Sequence, residues 1–353
     1  MSTEASATVA ERSSRYFPWS TDLRTAQIVR FTVGATAAAV IAFAYAWPLS
    51  FVCPLLTIVF LSKKIPGFTH REWYPIAYVI GAMLLGLTFT LFLHPYPVVF
   101  VLMLGLVFFN IYYFINRHGS FVFGLICLLS VLILPMMTTA HEELAIVFAL
   151  YFGLSAALAI VIFIIANVLF PDPPGSSGPT DAGFQRGYSE VAAKASLKST
   201  LAILPLVVFF NAFELTGGVL AVVYAAILSL AAESSAGWNA GVTMFRATLM
   251  GAVATVVIYS LLVAVPELHF LTILWLVTML IFARIIFSDH PLSKYAGSGA
   301  TAMTVLVATS LGEGADYFDK IVVRAMLIAF AALYVGVALA IVDRYLFRES
   351  PPG

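Results

Sequence analysis

The chain has 353 residues, of which 61% are apolar and only 10% charged, with 18 basic and 18 acidic side chains in balance. A soluble domain carries roughly 25% charged residues, and a water-soluble fold of this size cannot hide so much apolar surface. Lipid is therefore the solvent for most of the chain, and zero net charge offers no basic field to attract nucleic acid.

Residues 1–22 are polar and lack the apolar core of a signal peptide, so they are expected to form a cytoplasmic arm. Apolar runs then follow near 26–46, 48–62, 74–93, 97–115, 119–138 and 144–170. A second series lies near 198–213, 216–232, 243–265, 268–287, 296–311 and 321–346. A bilayer-spanning helix needs ~20 apolar residues. The second and eighth runs are short, which suits little tilt or partial entry into the membrane. None of the runs shows the two-residue alternation of a membrane barrel. The expected fold is an all-α integral membrane protein of about twelve transmembrane helices.

Between the two series, the stretch from Pro171 to Gly187 begins PDPPGSSGPTDAG, a composition that neither continues a helix nor builds a core. The organisation expected is an arm at 1–22, a first six-helix repeat at 23–170, a cytoplasmic linker at 171–189, a second six-helix repeat at 190–347 and a tail at 348–353. With the N-terminus inside, sixteen of the 18 basic residues fall on the cytoplasmic side, and only Lys320 and Arg324 fall towards the other. An odd number of spans in either half would scramble that distribution. Both termini are therefore expected in the cytoplasm, with the chain in a bacterial inner membrane.

Internal duplication supports the same count. A shift of 170 residues places Gly67-Phe68 on Gly237-Trp238, Ile80-Gly81-Ala82 on Met250-Gly251-Ala252, and LGLV at Leu104 on LWLV at Leu274. A shift of 168 places Arg30 on Lys198, and one of 177 places Asn167-Val-Leu-Phe on Arg344-Tyr-Leu-Phe. Six spans per half is an even number, so the halves would be parallel repeats related by an axis along the membrane normal.

Polar groups at membrane depth are costly and are the first candidates for function. Arg246 opens the ninth span and Arg284 lies near the end of the tenth. Either could snorkel to the surface or face inwards and grip an anionic substrate with its planar guanidinium. Arg30 and Lys198, matched by the repeat, carry the same pair of readings, and Asn110 on the fourth span can bond a ligand or a neighbouring helix. Glu214, at the outer end of the seventh span, and Asp343, beside Arg344 at the inner end of the last, are candidates for proton coupling. Asp343 can equally pair with a nearby arginine, Glu214 can be interfacial, and Glu233 is a weaker candidate of this kind. Trp47-Pro48 and the matching Thr216-Gly217-Gly218 read as turns or as helix breaks shaping a site. Glycines such as Gly81 and Gly86 are expected to pack helices. Cys53 and Cys127 lie in apolar runs without metal spacing, so they read as small core residues.

Enzymatic motifs fail on inspection. His141-Glu142-Glu143 lacks the second histidine of a zinc HExxH helix, Gly297-Ser298-Gly299 lacks the setting of a nucleophile elbow, and there is no Walker A motif. No enzymatic activity and no cofactor are expected.

Arg246-Ala-Thr-Leu-Met-Gly251-Ala, following Gly237-Trp238 and a short apolar span, resembles the R-x-x-x-x-G-[AS] signature of the fusaric-acid-resistance and aromatic-acid-exporter superfamily. Arg24 and Arg30 before an apolar span and Trp47-Pro48 resemble that superfamily's opening. The first half departs from the signature, because Arg71 stands ten residues before Gly81 rather than five. The resemblance implies a compact member without the large soluble domain. It implies export of aromatic or hydrophobic organic acids by proton motive force, with a membrane-fusion (HlyD-like) adaptor as partner. It leaves a homo-oligomer open. Aromatic acids are anions at neutral pH, so arginines on the cytoplasmic side would concentrate them. Two alternatives stand beside the exporter: a passive anion channel and a non-transporting membrane scaffold. The loop Ser62 to Trp73 lacks the G-x-x-x-D-R/K-x-G-R-R pattern of major-facilitator transporters, which argues against that fold.

Overall fold

The computed structural model describes residues 23–62, 74–93, 95–119, 121–138, 142–172, 187–213, 219–229, 234–310 and 317–346. Within these residues the chain is all-helical, with no strand. The helices of the first half are α1 Leu23–Tyr45, α2 Val52–Ser62, α3 Tyr74–Leu93, α4 Pro97–Asn116, α5 Phe121–Thr138 and α6 Glu142–Leu169. Those of the second are α7 Glu190–Ala212, α8 Val219–Leu228, α9 Ser234–Ala264, α10 Leu268–Ile286, α11 Ser293–Ser310 and α12 Tyr317–Leu346. The arm, most of the linker and the tail lie outside the described residues.

Among the described residues, α1, α4, α6, α7, α9 and α10 contain stretches long and apolar enough to cross a membrane, while α2, α3 and α5 supply shorter apolar ones. Their outward faces carry large apolar side chains such as Phe92, Leu102, Val253 and Ile273, each at least 60% exposed. In water these faces would be a liability. In a bilayer they are what lipid solvates. The chain is a helical, multi-pass membrane protein.

Local chemistry sets the helix ends. Pro97 begins α4, where a missing N–H costs nothing. Ser189 caps α7, its hydroxyl accepting from the Ala192 N–H at 3.3 Å. After α1, positive φ at Ala46 (45°) and Leu49 (61°) folds Trp47-Pro48 into a tight turn. Trp47 Nε1 donates to Ser155 Oγ at 2.9 Å, and that hydroxyl donates to the Leu49 carbonyl at 3.3 Å, so the turn is tied to α6.

The helices form two compact units, and neither coincides with a sequence half. The first holds α1, α2, α6 from Ser155, α9 from Met250, α10 and α11. Here α1 packs on α2 and α10, with Phe31 edge-on to Phe287 at 6.2 Å and Phe43 edge-on to Trp275 at 5.3 Å. The second holds α3, α4, α5, α6 to Leu154, α7, α8, α9 to Leu249, and α12. Its core is drawn from α3, α4, α5, α7, α8 and α12, with Leu104, Phe108, Leu128, Val207, Val222 and Val335 among its buried residues.

Glycine decides where backbones approach. A Cβ at Gly251 would lie 2.5 Å from the Gly299 carbonyl oxygen and 2.8 Å from the Met303 nitrogen, so α9 meets α11 main chain to main chain. A Cβ at Gly86 would collide with Ser130 Oγ, where α3 crosses α5. Gly81 has open space at its Cβ position among the described residues, so no close helix contact is made through it there, contrary to the sequence expectation. Gly251→Ala should therefore destabilise the protein by about 1–3 kcal/mol, because backbone cannot step aside. Gly81→Ala should be neutral or slightly stabilising, through helix propensity. Unfolding midpoints of the two variants in detergent test the contrast.

Candidate functional site

Two ion pairs fasten the base of the helices, one in each unit. In the first unit, Arg30 Nη1 on α1 lies 3.0 Å from Asp172 Oδ1, just beyond the end of α6, and also donates to the Phe170 carbonyl at 3.4 Å. The pair is nearly sealed, with the two side chains 7% and 17% exposed. In the second unit, Lys198 Nζ on α7 lies 2.7 Å from Asp343 Oδ1 in the last turn of α12, with the side chains 21% and 30% exposed. Each pair joins the first helix of one sequence half to the end of the sixth helix of the same half.

The second unit also buries a set of hydroxyls. Tyr112 on α4, fully buried, donates to the Ala226 carbonyl at 3.0 Å and shares a hydrogen bond with Ser229 Oγ at 2.7 Å. Ser199 on α7 donates to the Ser229 carbonyl. A turn away, Asn116 Nδ2 donates to Ser196 Oγ at 3.0 Å. The hydroxyl of Tyr113 accepts from Arg117 Nη1 and from the Ser189 N–H, both at 3.1 Å. Tyr334 on α12 donates to the Ala202 carbonyl at 3.0 Å. These bonds tie α4, α8 and α12 to α7 around the C-terminal end of α8, where carbonyls leave the helical ladder and need donors.

The structure distributes the expected site residues unevenly. Lys198 and Asp343 come together as partners, so the carboxylate's cation is a lysine on α7 rather than an arginine. Arg30 is occupied by Asp172. Arg246 on α9 and Arg284 in the last turn of α10 are both exposed, and they belong to different units. Arg284 favours its place for a simple reason: a cation complements the partial negative charge of a helix C-terminus. Asn110 is exposed and donates to its own helix at the Leu106 carbonyl, 2.7 Å away, so among the described residues its amide serves its own helix. Glu214, Glu233 and Thr216-Gly217-Gly218 lie outside the described residues.

Sequence reasoning did not find Asp172, Tyr112, Ser199 or Ser229. A signal for Asp172 existed, because a carboxylate after the sixth span could answer Arg30 as Asp343 answers Lys198. None existed for the hydroxyls, since serine and tyrosine are ordinary residues of apolar helices.

The difference in burial predicts different costs. Asp172→Asn strands a buried guanidinium and should cost roughly 3 kcal/mol. Asp343→Asn, with solvent screening its partner, should cost about 1 kcal/mol or less. Detergent unfolding midpoints should rank the two variants in that order.

Comparison with known proteins bears on the first half alone. Residues 27–166, from α1 to near the end of α6, match a family described as protein of unknown function (DUF2955). No curated protein and no solved structure matches the chain.

Proposed function

We propose that this is a proton-driven exporter of aromatic or hydrophobic organic acids in a bacterial inner membrane. In this reading all twelve helices enter the bilayer as two parallel six-helix repeats, with both termini cytoplasmic. Helix ranges support the repeat: α4 and α10, and likewise α5 and α11, correspond at shifts within a few residues of 170. The charge asymmetry of the loops supports the orientation. The Arg246-to-Gly251 signature supports the superfamily assignment, and Gly251's backbone contact supplies a packing reason for its glycine.

The observation that carries the proposal is the Lys198–Asp343 pair. It is the less sealed of the two base pairs, at 21% and 30% exposure, so an anion arriving from the cytoplasm can reach it. An organic carboxylate that takes Lys198 leaves Asp343 without its counter-charge. On the far side Asp343 takes up a proton as the substrate leaves Lys198, and the empty carrier returns that proton to the cytoplasm, where the Lys198–Asp343 pair re-forms, so one proton enters for each anion exported. Arg246, exposed on α9, attracts the incoming anion. Arg30, sealed against Asp172, has a structural role in this scheme rather than the substrate-binding one expected from the sequence.

Efflux of a panel of weak aromatic acids from preloaded cells tests the proposal, with a membrane-fusion adaptor co-expressed. Efflux should need the proton gradient. Arg246→Ala should lower it roughly 10- to 100-fold, the weight of one charge-assisted contact of about 1.5–3 kcal/mol. Asp343→Asn should leave whatever flux remains indifferent to the gradient. Flux that ignores the gradient in the wild type would indicate the channel instead. No flux of any acid at normal expression would leave the scaffold.

A further inference from the structure

We infer that the two halves are interleaved by helix exchange, so that each half is completed only by a partner half of the same six-helix design. The inference rests on the duplication proposed above and is independent of export.

Number the helices of each half one to six. The first unit contains helices one, two and the later part of six from the first half (α1, α2, α6), together with three, four and five of the second (α9, α10, α11). The second unit contains the complement: three, four and five of the first half (α3, α4, α5) with one, two and six of the second (α7, α8, α12). The early parts of α6 and α9 also belong to the second unit, where the exchange is not exact.

The contacts repeat with the exchange. Helix one packs on helix four of the other half twice over, as α1 on α10 and as α7 on α4. Helix one packs on helix two as α1 on α2 and as α7 on α8. Helix three meets helix five through small residues in both units, at Gly86 with Ser130 and at Gly251 with Gly299. Helix two meets helix six as Phe60 edge-on to Phe163 at 6.0 Å, and as α8 on α12. Helix five lies against helix two of the other half as α5 on α8, and again where a Cβ at Gly297 would stand 3.6 Å from Ser62 Cβ. Helix one is bonded to the end of helix six by Arg30–Asp172 and by Lys198–Asp343. Six kinds of contact recurring under one permutation are not a chance of packing.

A lone half could close neither unit. Its helix one would lack the other half's helix four, and its helix five would lack the other half's helix two. The surface each half presents therefore fits a second six-helix half.

The full chain tests this, with a protease site inserted at Ser176–Gly178 and both native cysteines replaced by alanine. Phe31→Cys with Phe287→Cys bridges the halves in the first unit, and Asn116→Cys with Ser196→Cys bridges them in the second. Phe60→Cys with Phe163→Cys lies within one half and serves as control. After crosslinking in membranes and cleavage, both bridging pairs should shift two half-length bands to one full-length band, and the control should leave two. Two bands from all three pairs would overturn the exchange. Where a cysteine variant fails to accumulate, the separately expressed halves decide. Neither should accumulate alone and both should recover together; a half that accumulates alone as a folded monomer overturns it. These outcomes are read without any flux, so a failed efflux experiment leaves them untouched.

Discussion

Lipid is as apolar as the side chains these helices bury, so hydrophobic burial cannot choose one helix packing over another. Close backbone approach and a few polar bonds make the choice. Gly251 and Gly86 mark places where one helix presses into the next closely enough that a single methyl group would intrude. Most hydroxyls are silent in this respect. Thr32, Thr57, Thr90, Thr255 and Thr304 each donate to a carbonyl four residues back in their own helix, which removes them from the membrane's accounting of unsatisfied groups. The hydroxyls that escape this rule, Tyr112 and Ser199 above all, bond across helices and fix their relative placement.

The same constraint governs charge. An unpaired arginine at the centre of a bilayer costs about 2.5–3.5 kcal/mol even by insertion scales. Arg30 and Lys198 are each answered by an aspartate at the end of α6 or α12. The two pairs do the same mechanical work but differ in access. A sealed pair holds two helices together and little else. A pair open to water can exchange its partner for another anion, and this inequality separates a strut from a candidate coupling site.

Much of the helical architecture was legible in the sequence because continuous apolar runs and turn residues determine it. Each of the twelve runs corresponds to a helix, and α7 and α9 begin about two turns before their expected starts, while α3, α4 and α10 begin where expected. What the sequence could not yield was pairing in space. Lys198 and Asp343 were both visible as candidates, yet 145 positions separate them and nothing in a single chain joins them. Arg30 looked like a substrate ligand because its partner stands in a proline-rich stretch that reads as linker. Asn110 looked like a bridge between helices because its amide can serve either its own helix or a neighbour, and only coordinates distinguish the two.

The proposed duplication also gives a reason why the two units can differ inside. Under the repeat, Tyr112 corresponds to Phe282 and Ser199 to Phe31, so one unit keeps hydroxyls where the other keeps apolar rings. A paired hydroxyl contributes a net stabilisation of only about 0.5–1.5 kcal/mol, and a well-packed ring can do as well. Stability therefore gives no reason to hold polar groups in one unit and drop them from the other. A carrier does give one. It needs a region whose bonds can be exchanged for others as it changes state, braced by a region that keeps its packing. In the proposed reading, the second unit, with its hydroxyls and its accessible Lys198–Asp343 pair, is the part that rearranges. The first, with Phe31, Phe287 and Arg30–Asp172 closed around α1, is the part that holds.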